Sequence, residues 1–167
     1  AMHIINNYLG GGLSSRLFQE IREKRGLAYS VYSYHSAYAD TGLFAVYAGT
    51  SPNKTKEVIE CILHEMNKVK EKGITEKELS KTKAQIKGNL LLGLESVSSR
   101  MSRLGKSEIS FGRVITAEEA VEKLEKVTIE DIQRVMNRLW DIKNVSILTL
   151  GKKDFDIDLD KIANSYQ

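Results

Sequence analysis

Histidine is the side chain most often used to hold a catalytic metal ion, and the sequence contains three, His3, His35 and His64. A metal ion that activates water typically needs two histidines one helical turn apart and a nearby glutamate to take the proton. His64-Glu65 begins such an H-E-x-x-H motif, but Lys68 stands where the second histidine belongs. The inverted motif H-x-x-E-H occurs nowhere in the sequence. We therefore expect no metal bound by this chain alone.

Other side chains that could do chemistry lack the neighbours that their chemistry requires. Ser14 and Ser15 have no histidine partner that the sequence indicates, so nucleophilic catalysis by serine has no support. Cys61 falls on an apolar helix face, where a buried and inert thiol is expected. The run G-K-S at 105–107 resembles the end of a phosphate-binding loop, but Arg100 replaces the glycine that the loop requires at that position.

Two further patterns each allow a functional and an ordinary interpretation. Acidic and apolar residues alternate from Asp154 to Asp160, but the glycine and the distal glutamate of a calcium loop are not in place. A strand edge or a short surface helix is the ordinary interpretation. Tyrosines between Leu27 and Tyr38 could stack the bases of a single-stranded nucleic acid, although tyrosine is also favoured on half-buried strands.

Residues 9–34 have a more distinctive pattern, L-G-G-G-L-S-S-R-L-F-Q-E-I-R-E-K-R-G-L-A-Y-S-V-Y-S-Y. Three glycines end a helical segment that starts at His3, and Ser14 or Ser15 offers an N-cap for a second helix. This second helix should end at Gly26, because glycine is favoured just past a helix C-terminus. Its apolar face comprises Leu13, Leu17, Phe18 and Ile21. Its expected solvent face comprises Arg16, Gln19, Glu20 and Glu23.

This string resembles the segment that opens the C-terminal half of insulinase/pitrilysin-type zinc metallopeptidases, including the mitochondrial processing peptidases. That family shows a glycine-rich break, then S-S-R-L-F, then R-E-(K/R)-x-G-L-A-Y, and the match is nearly continuous from Gly10 to Tyr29. The resemblance implies that Arg22 and Tyr29 lean toward a zinc site in the N-terminal half. There they would hold the substrate backbone and stabilise charge on the attacked carbonyl oxygen, a role that suits two hydrogen-bond donors.

The resemblance also implies the organisation of the whole enzyme. Residues 1–167 would form a single half-domain of a longer chain, with the catalytic zinc in an N-terminal half or in a partner subunit. This C-terminal half would bind the peptide substrate of a zinc-dependent endopeptidase, and a second copy of the chain in a homodimer is a further candidate partner. The alternative is a non-catalytic scaffold or partner subunit of the same family, which supplies binding surface and no chemistry.

Composition narrows the other classes of protein. Hydrophobic residues make up 41% and charged residues 28% of the sequence, as in ordinary globular domains. The net charge of +3 comes from basic residues scattered among acids, so neither nucleic acid nor a membrane surface is an expected partner. No apolar run approaches transmembrane length. The single cysteine excludes an internal disulfide and is typical of a reducing compartment, so we expect the cytoplasm.

The elements that must position Arg22 and Tyr29 follow from the periodicity of the sequence. Leu27–Tyr38 and Leu43–Gly49 flank the turn residues A-D-T-G and predict a β-hairpin. Regular alternation along the first strand would place Tyr29 on the same face as Val31 and Ser33. The apolar run 145–150 predicts another strand inside the same sheet.

The remaining segments predict helices with clear start signals. One helix begins at Ser51-Pro52 and ends at Gly73, and the longest runs from the capping box at Thr75 to Leu104, with Gly105 as its stop. Shorter helices begin at Thr116 and Thr128. The expected fold is α+β, an antiparallel-rich sheet covered on one face by several helices. By comparison with the family it would be truncated at its N-terminus, which would leave one sheet edge unpaired or paired with another chain.

Overall fold

Helices pack against a β-hairpin in residues 1–151, the part of the chain that the computed structural model describes. The elements up to the hairpin are α1 (Met2–Gly10), a π-helix (Phe18–Glu23), β1 (Ala28–Ala37) and β2 (Gly42–Thr50). A 3₁₀ turn (Pro52–Lys54) then leads into α2 (Thr55–Lys72), α3 (Glu76–Gly93), α4 (Val97–Phe111), α5 (Ala117–Glu125), α6 (Ile129–Leu139) and a final 3₁₀ turn (Ile142–Asn144). This is the α+β architecture that the sequence predicts.

The hairpin is the only sheet within the described residues. β1 and β2 pair antiparallel, with Tyr32 directly opposite Tyr47. The strand expected over residues 145–150 is wrong, because this segment joins no sheet in the described part of the chain. Val145 and Ile147 pack against the core while Leu148 is 94% exposed. An apolar run indicates that burial is favourable, but it does not indicate which neighbour supplies the ladder hydrogen bonds.

The core lies where α1, the π-helix and α2 meet the inner face of the hairpin. Leu17, Phe18 and Ile21 of the apolar face predicted for the second helix pack in the core, as expected. Leu13, expected on the same face, is 72% exposed because it lies in the turn before the helix begins. On the other side, α6 closes the core with Ile132 and Met136. The largest fully buried side chains are Ile4, Ile5, Leu9, Leu17, Ile21, Val69, Ile132 and Met136. Among the described residues, no helix combines the length and the apolar character needed to cross a bilayer.

The glycine-rich break brings the end of α1 directly onto β1. A Cβ atom at Gly10 would lie 2.2 Å from the backbone nitrogen of Ser33, a distance that no side chain tolerates. The Ser33 hydroxyl donates to the backbone oxygen of Asn6 at 3.0 Å and lies 2.9 Å from its Oδ1. Gly10 is therefore required by close packing of a helix on a strand, in addition to ending the helix.

The longest expected helix is in fact two helices. α3 ends at Gly93, and α4 starts after Ser96, whose hydroxyl accepts from the backbone N–H of Ser99 at 3.3 Å. Gly105, the expected stop, lies inside α4, which ends instead at Gly112 with a positive φ of 65°. The apolar stripe continues through the break, so periodicity alone does not reveal it. A serine hydroxyl that competes with the helical backbone supplies the interruption.

Two of the three expected capping signals form complete boxes. Thr75 pairs reciprocally with Glu78, and Thr128 with Asp131. Thr116 accepts from the backbone N–H of Glu119 at 3.1 Å, but the Glu119 carboxylate turns away to Arg113, at 2.6 and 2.7 Å. The hydrogen bonds from Arg113, followed by that from Lys123, lower the pKa of Glu119 to about 2.

Candidate functional site

Arg22 is carried by the π-helix between Phe18 and Glu23. The wider turn is visible in the bond from the Lys24 N–H to the Gln19 oxygen, 3.0 Å long and spanning five residues. π-Helical turns are rare and occur frequently at functional sites. The first hydrogen bond of this helical segment is made by the backbone of Ser15, whose oxygen accepts from the Gln19 N–H at 3.0 Å. The Ser15 hydroxyl is buried without a hydrogen-bond partner, so the expected side-chain cap does not form.

Gly26 ends the helix and reverses the chain into β1, as expected. Its φ is +57°, and its N–H donates to the Arg22 oxygen at 3.0 Å while the Leu27 N–H donates to the Ile21 oxygen at 2.9 Å. These two bonds form a Schellman-type ending that is one residue wider than in an α-helix. The Lys54 ammonium donates to the Gly26 oxygen at 2.9 Å and ties the turn to the segment after β2.

A β-bulge directs Tyr29 outward. Ala28 pairs with Thr50 and Ser30 pairs with Gly49, so Tyr29 is an extra residue on β1. The expected placement of Tyr29 on the same face as Val31 is wrong, because Tyr29 is 83% exposed and Val31 is buried. An inserted residue changes the face of the strand on which the preceding side chains lie, and bulges commonly re-aim a side chain in this way.

The π-helix, the turn at Gly26 and the bulge together bring Arg22 onto Tyr29. The guanidinium carbon lies 4.9 Å from the centroid of the Tyr29 ring and 4.9 Å from that of Phe18. The Arg22 Nε is 3.8 Å from the Glu23 carboxylate, a long ion pair. A guanidinium that stacks on aromatic rings keeps its N–H groups in its own plane, where they can donate to a ligand. Two donors of different charge therefore stand side by side on the surface.

A buried polar network holds the elements behind this pair. Arg16 forms an ion pair with Glu65 on α2 at 2.6 Å and donates to the Tyr8 hydroxyl at 3.0 Å. The Tyr8 hydroxyl in turn donates to Glu78 on α3 at 2.7 Å. The expectation that Arg16 is solvated is therefore wrong. The missed signal is Glu65, a charged residue that falls on the buried stripe of α2 and is only 2% exposed.

The remaining candidate side chains in the described part of the chain form no metal site. His3 and His35 meet edge to face with ring centroids 4.5 Å apart, and burial, followed by the charge of His35, lowers the pKa of His3. Within residues 1–151, no three His, Cys, Asp or Glu side chains are grouped as metal ligands would be. Burial raises the pKa of the Cys61 thiol, which keeps it protonated and unreactive. The acidic stretch from Asp154 to Asp160 lies outside the described residues.

The known sequences that this chain resembles agree with one another. Residues 1–86 match the family described as the peptidase M16 inactive domain. The chain is 46% identical over 137 residues to the uncharacterized zinc protease YmxG of Bacillus subtilis, covering 82% of this chain and 34% of that protein. It is 46% identical over 135 residues to the uncharacterized zinc protease SCO5738 of Streptomyces coelicolor, covering 81% and 29%. The chain thus spans about a third of the length of the curated relatives it matches.

Solved structures show the same fold. The peptidase M16 inactive domain from Pseudomonas fluorescens superposes with a TM-score of 0.73 at 26% identity, covering 83% of this chain and 33% of that one. A protease from Helicobacter pylori also gives 0.73 at 26% identity, covering 82% and 33%. The family match, the zinc-protease relatives and the shared fold agree with the resemblance carried by residues 9–34. The chain therefore belongs to the M16 family of zinc metallopeptidases, the insulinase/pitrilysin type, and contains the domain described as inactive.

Proposed function

We propose that this chain is the substrate-binding, C-terminal half of a zinc-dependent endopeptidase, and that Arg22 and Tyr29 are its contribution to the active site. The observation that supports the proposal is the contact between the half-buried Arg22 guanidinium and the exposed Tyr29 ring. In this proposal the zinc ion, which would activate the attacking water, belongs to another half of the enzyme. The described residues of this chain do not fit a zinc site, because they bring no suitable group of ligands together.

The chemistry of the pair suits a peptide whose carbonyl is under attack. The Arg22 guanidinium carries a fixed positive charge and several N–H donors, which can hold backbone carbonyls of the substrate. The Tyr29 hydroxyl is a neutral donor for the oxygen on which negative charge develops. Donors that are already in place when charge develops need no reorganisation, and this is where electrostatic catalysis gains its effect.

The surrounding structure supports such preorganisation. Arg22 is fixed by two aromatic rings, and Gly26 is tied to Lys54 across the turn. The chain that leads into the π-helix is anchored through Arg16 to the buried Glu65. These contacts restrain the Arg22 side chain and the segments that carry the pair, and a catalytic donor must be positioned in this way.

The test uses the full-length protein with both halves present. We expect Arg22→Ala and Tyr29→Phe each to lower kcat/KM for peptide hydrolysis by about 10²–10³, the usual effect of removing one oxyanion donor. Zinc content, measured by elemental analysis, should not change. Arg25→Ala, close to the pair in the sequence, and Tyr38→Phe, at the opposite end of β1, are matched controls on exposed side chains, and they should retain wild-type turnover.

Different outcomes separate the proposal from its alternative. Wild-type turnover in both Arg22→Ala and Tyr29→Phe would remove the catalytic role of the pair. A full-length protein that binds no zinc and cleaves no peptide, while still forming a stable complex with a zinc-bearing relative, would instead be the scaffold or partner subunit.

A further inference from the structure

A shallow depression lies beside the Arg22–Tyr29 pair on the outer face of the hairpin. Its walls are Tyr29 and Tyr47, and its floor includes Ser30 and Gly49, which are paired across the two strands. Lys54 stands at its edge. Two aromatic walls over a floor of small residues leave room for one side chain of a bound peptide.

The Tyr47 wall is held in place by its neighbours. Tyr47 is half exposed, and its ring lies 5.1 Å from that of Tyr32, its direct cross-strand partner, at an angle of 30°. Tyr32 in turn contacts Tyr34, with centroids 6.3 Å apart. Tyr47 leans over Gly49, because a Cβ atom built there would lie 3.5 Å from the Tyr47 hydroxyl. The absence of a side chain at residue 49 therefore leaves the space beside the Tyr47 hydroxyl open.

The charges around the depression disfavour a basic side chain. The Arg22 guanidinium already covers one face of the Tyr29 ring, and the Lys54 ammonium is fixed at the edge by its bond to Gly26. A lysine or arginine entering here would meet two cations, whereas an aromatic or large aliphatic side chain would bury its surface between two rings.

We infer that this depression is a specificity subsite of the peptide-binding surface, which accepts an uncharged aromatic or large aliphatic side chain and rejects lysine and arginine. The inference rests on the proposed function, because Tyr29 belongs both to the catalytic pair and to the wall of the subsite. The residue that occupies the subsite should therefore lie close in sequence to the bond that is cleaved.

The test measures binding separately from turnover. Fluorescein-labelled decapeptides, in which a single Phe is moved through a Ser/Ala host, are titrated into the full-length protein in EDTA and followed by anisotropy. We expect one position at which Phe lowers Kd by about tenfold relative to Ala, the effect of burying a large apolar side chain. Lys at that position should bind no more tightly than Ala.

Two variants and a matched control locate the preference on the hairpin. Gly49→Val fills the floor without removing any group, and its Cβ meets its neighbours at ordinary contact distances. Tyr47→Ala removes a wall. Both should abolish the preference for Phe. Ala45→Val makes the same kind of change on the same strand and face, opposite Tyr34 and outside the depression, and should keep the preference.

The outcomes distinguish this inference from the proposed function. A preference for Phe that survives in both Gly49→Val and Tyr47→Ala overturns the subsite, as does wild-type protein that binds all peptides equally. If the preference behaves as expected but Arg22→Ala and Tyr29→Phe hydrolyse peptides normally, only the catalytic assignment fails. Absence of any peptide binding would overturn both.

Discussion

A hydrogen atom is the largest side chain that the contact between α1 and β1 accommodates at Gly10. A methyl group there would overlap the backbone nitrogen of Ser33, which cannot move without disturbing the hairpin. We expect Gly10→Ala to lower the free energy of unfolding by about 1–3 kcal/mol. Urea denaturation followed by circular dichroism measures this change.

Gly88 provides the control for this prediction, because it lies in a helix and nothing is within 4 Å of a Cβ built there. Gly88→Ala should raise the free energy of unfolding by about 0.5–1 kcal/mol through helix propensity alone. If the two variants were equally stable, the contact between Gly10 and Ser33 would not be tight in solution.

Tyr8 gives the stability of the fold a dependence on alkaline pH. Burial raises the pKa of the Tyr8 hydroxyl to about 12, with a further contribution from its hydrogen bond to Glu78, against the opposing effect of Arg16. A raised pKa in the folded state means that this contribution to stability is complete below pH 10 and is lost as pH rises through 12. The loss should reach about 1.4 kcal/mol per pH unit within that range.

The measurement for Tyr8 is chemical denaturation at several values between pH 9 and pH 12, in wild type and in Tyr8→Phe. The difference in unfolding free energy between the two proteins should shrink as pH rises. A difference that is independent of pH would show that the Tyr8 hydroxyl is not protected from ionisation in the folded protein.

Individual residues differed in how well the sequence predicted them. Gly26 was predictable because a helix end is a local event, decided by residues a few positions apart. Arg16 was not, since its partner Glu65 is distant in the sequence and joins it only through tertiary packing. A charged residue on a buried stripe indicates that a partner exists, but it does not identify that partner.

At the scale of elements, the hairpin was predictable and its bulge was not. Alternating side chains and the A-D-T-G turn indicate two paired strands, but alternation assumes that every residue advances the strand by one position. The extra residue at Tyr29 breaks that assumption. The π-helix was not predictable either, because over so short a segment the spacing of its apolar residues matches that of an α-helix.

The turn between these two irregular elements depends on the positive φ of Gly26. No heavy atom lies within 4 Å of a Cβ at this position, so Gly26→Ala tests backbone conformation without a steric clash. We expect a loss of about 1–2 kcal/mol in unfolding free energy. Gly26→Asn should cost less, because asparagine tolerates the left-handed region better. If thermal unfolding showed that Gly26→Ala is more stable than Gly26→Asn, this account of the turn would be contradicted.

At the scale of the whole molecule, the described chain exposes an apolar stripe along α4, interrupted by Glu108. Isolated exposed apolar residues are normal, but a stripe at helical spacing usually marks a surface that another segment or protein covers. The stripe comprises Val97, Met101, Leu104 and Phe111.

The fold class was predictable because the helices and the hairpin bury their own apolar faces. The location of residues 145–150 was not predictable, since the pairing of a strand depends on a neighbour that the apolar run itself does not specify.

The stripe predicts that the 167-residue chain binds the dye ANS in its folded state. Met101→Lys combined with Phe111→Lys should greatly reduce ANS fluorescence without lowering the unfolding free energy, because both side chains are exposed. Leu13→Lys, at an exposed residue outside α4, is the control and should leave the fluorescence nearly unchanged. If the wild type, the double variant and Leu13→Lys all bound the dye equally, the stripe would be covered in solution.

The π-helix before Gly26 and the β-bulge after it make the relative position of Arg22 and Tyr29 sensitive to insertions and deletions. Each expansion adds one residue, in a helix on one side and in a strand on the other. Loss of a single codon from the helix would rotate Arg22 by about 100°, and loss of one from the bulge would return Tyr29 to the inner face. A relative with one residue fewer on either side could keep the whole fold and lose the contact between Arg22 and Tyr29. A one-residue gap at this place in an alignment would therefore affect function more than many substitutions elsewhere.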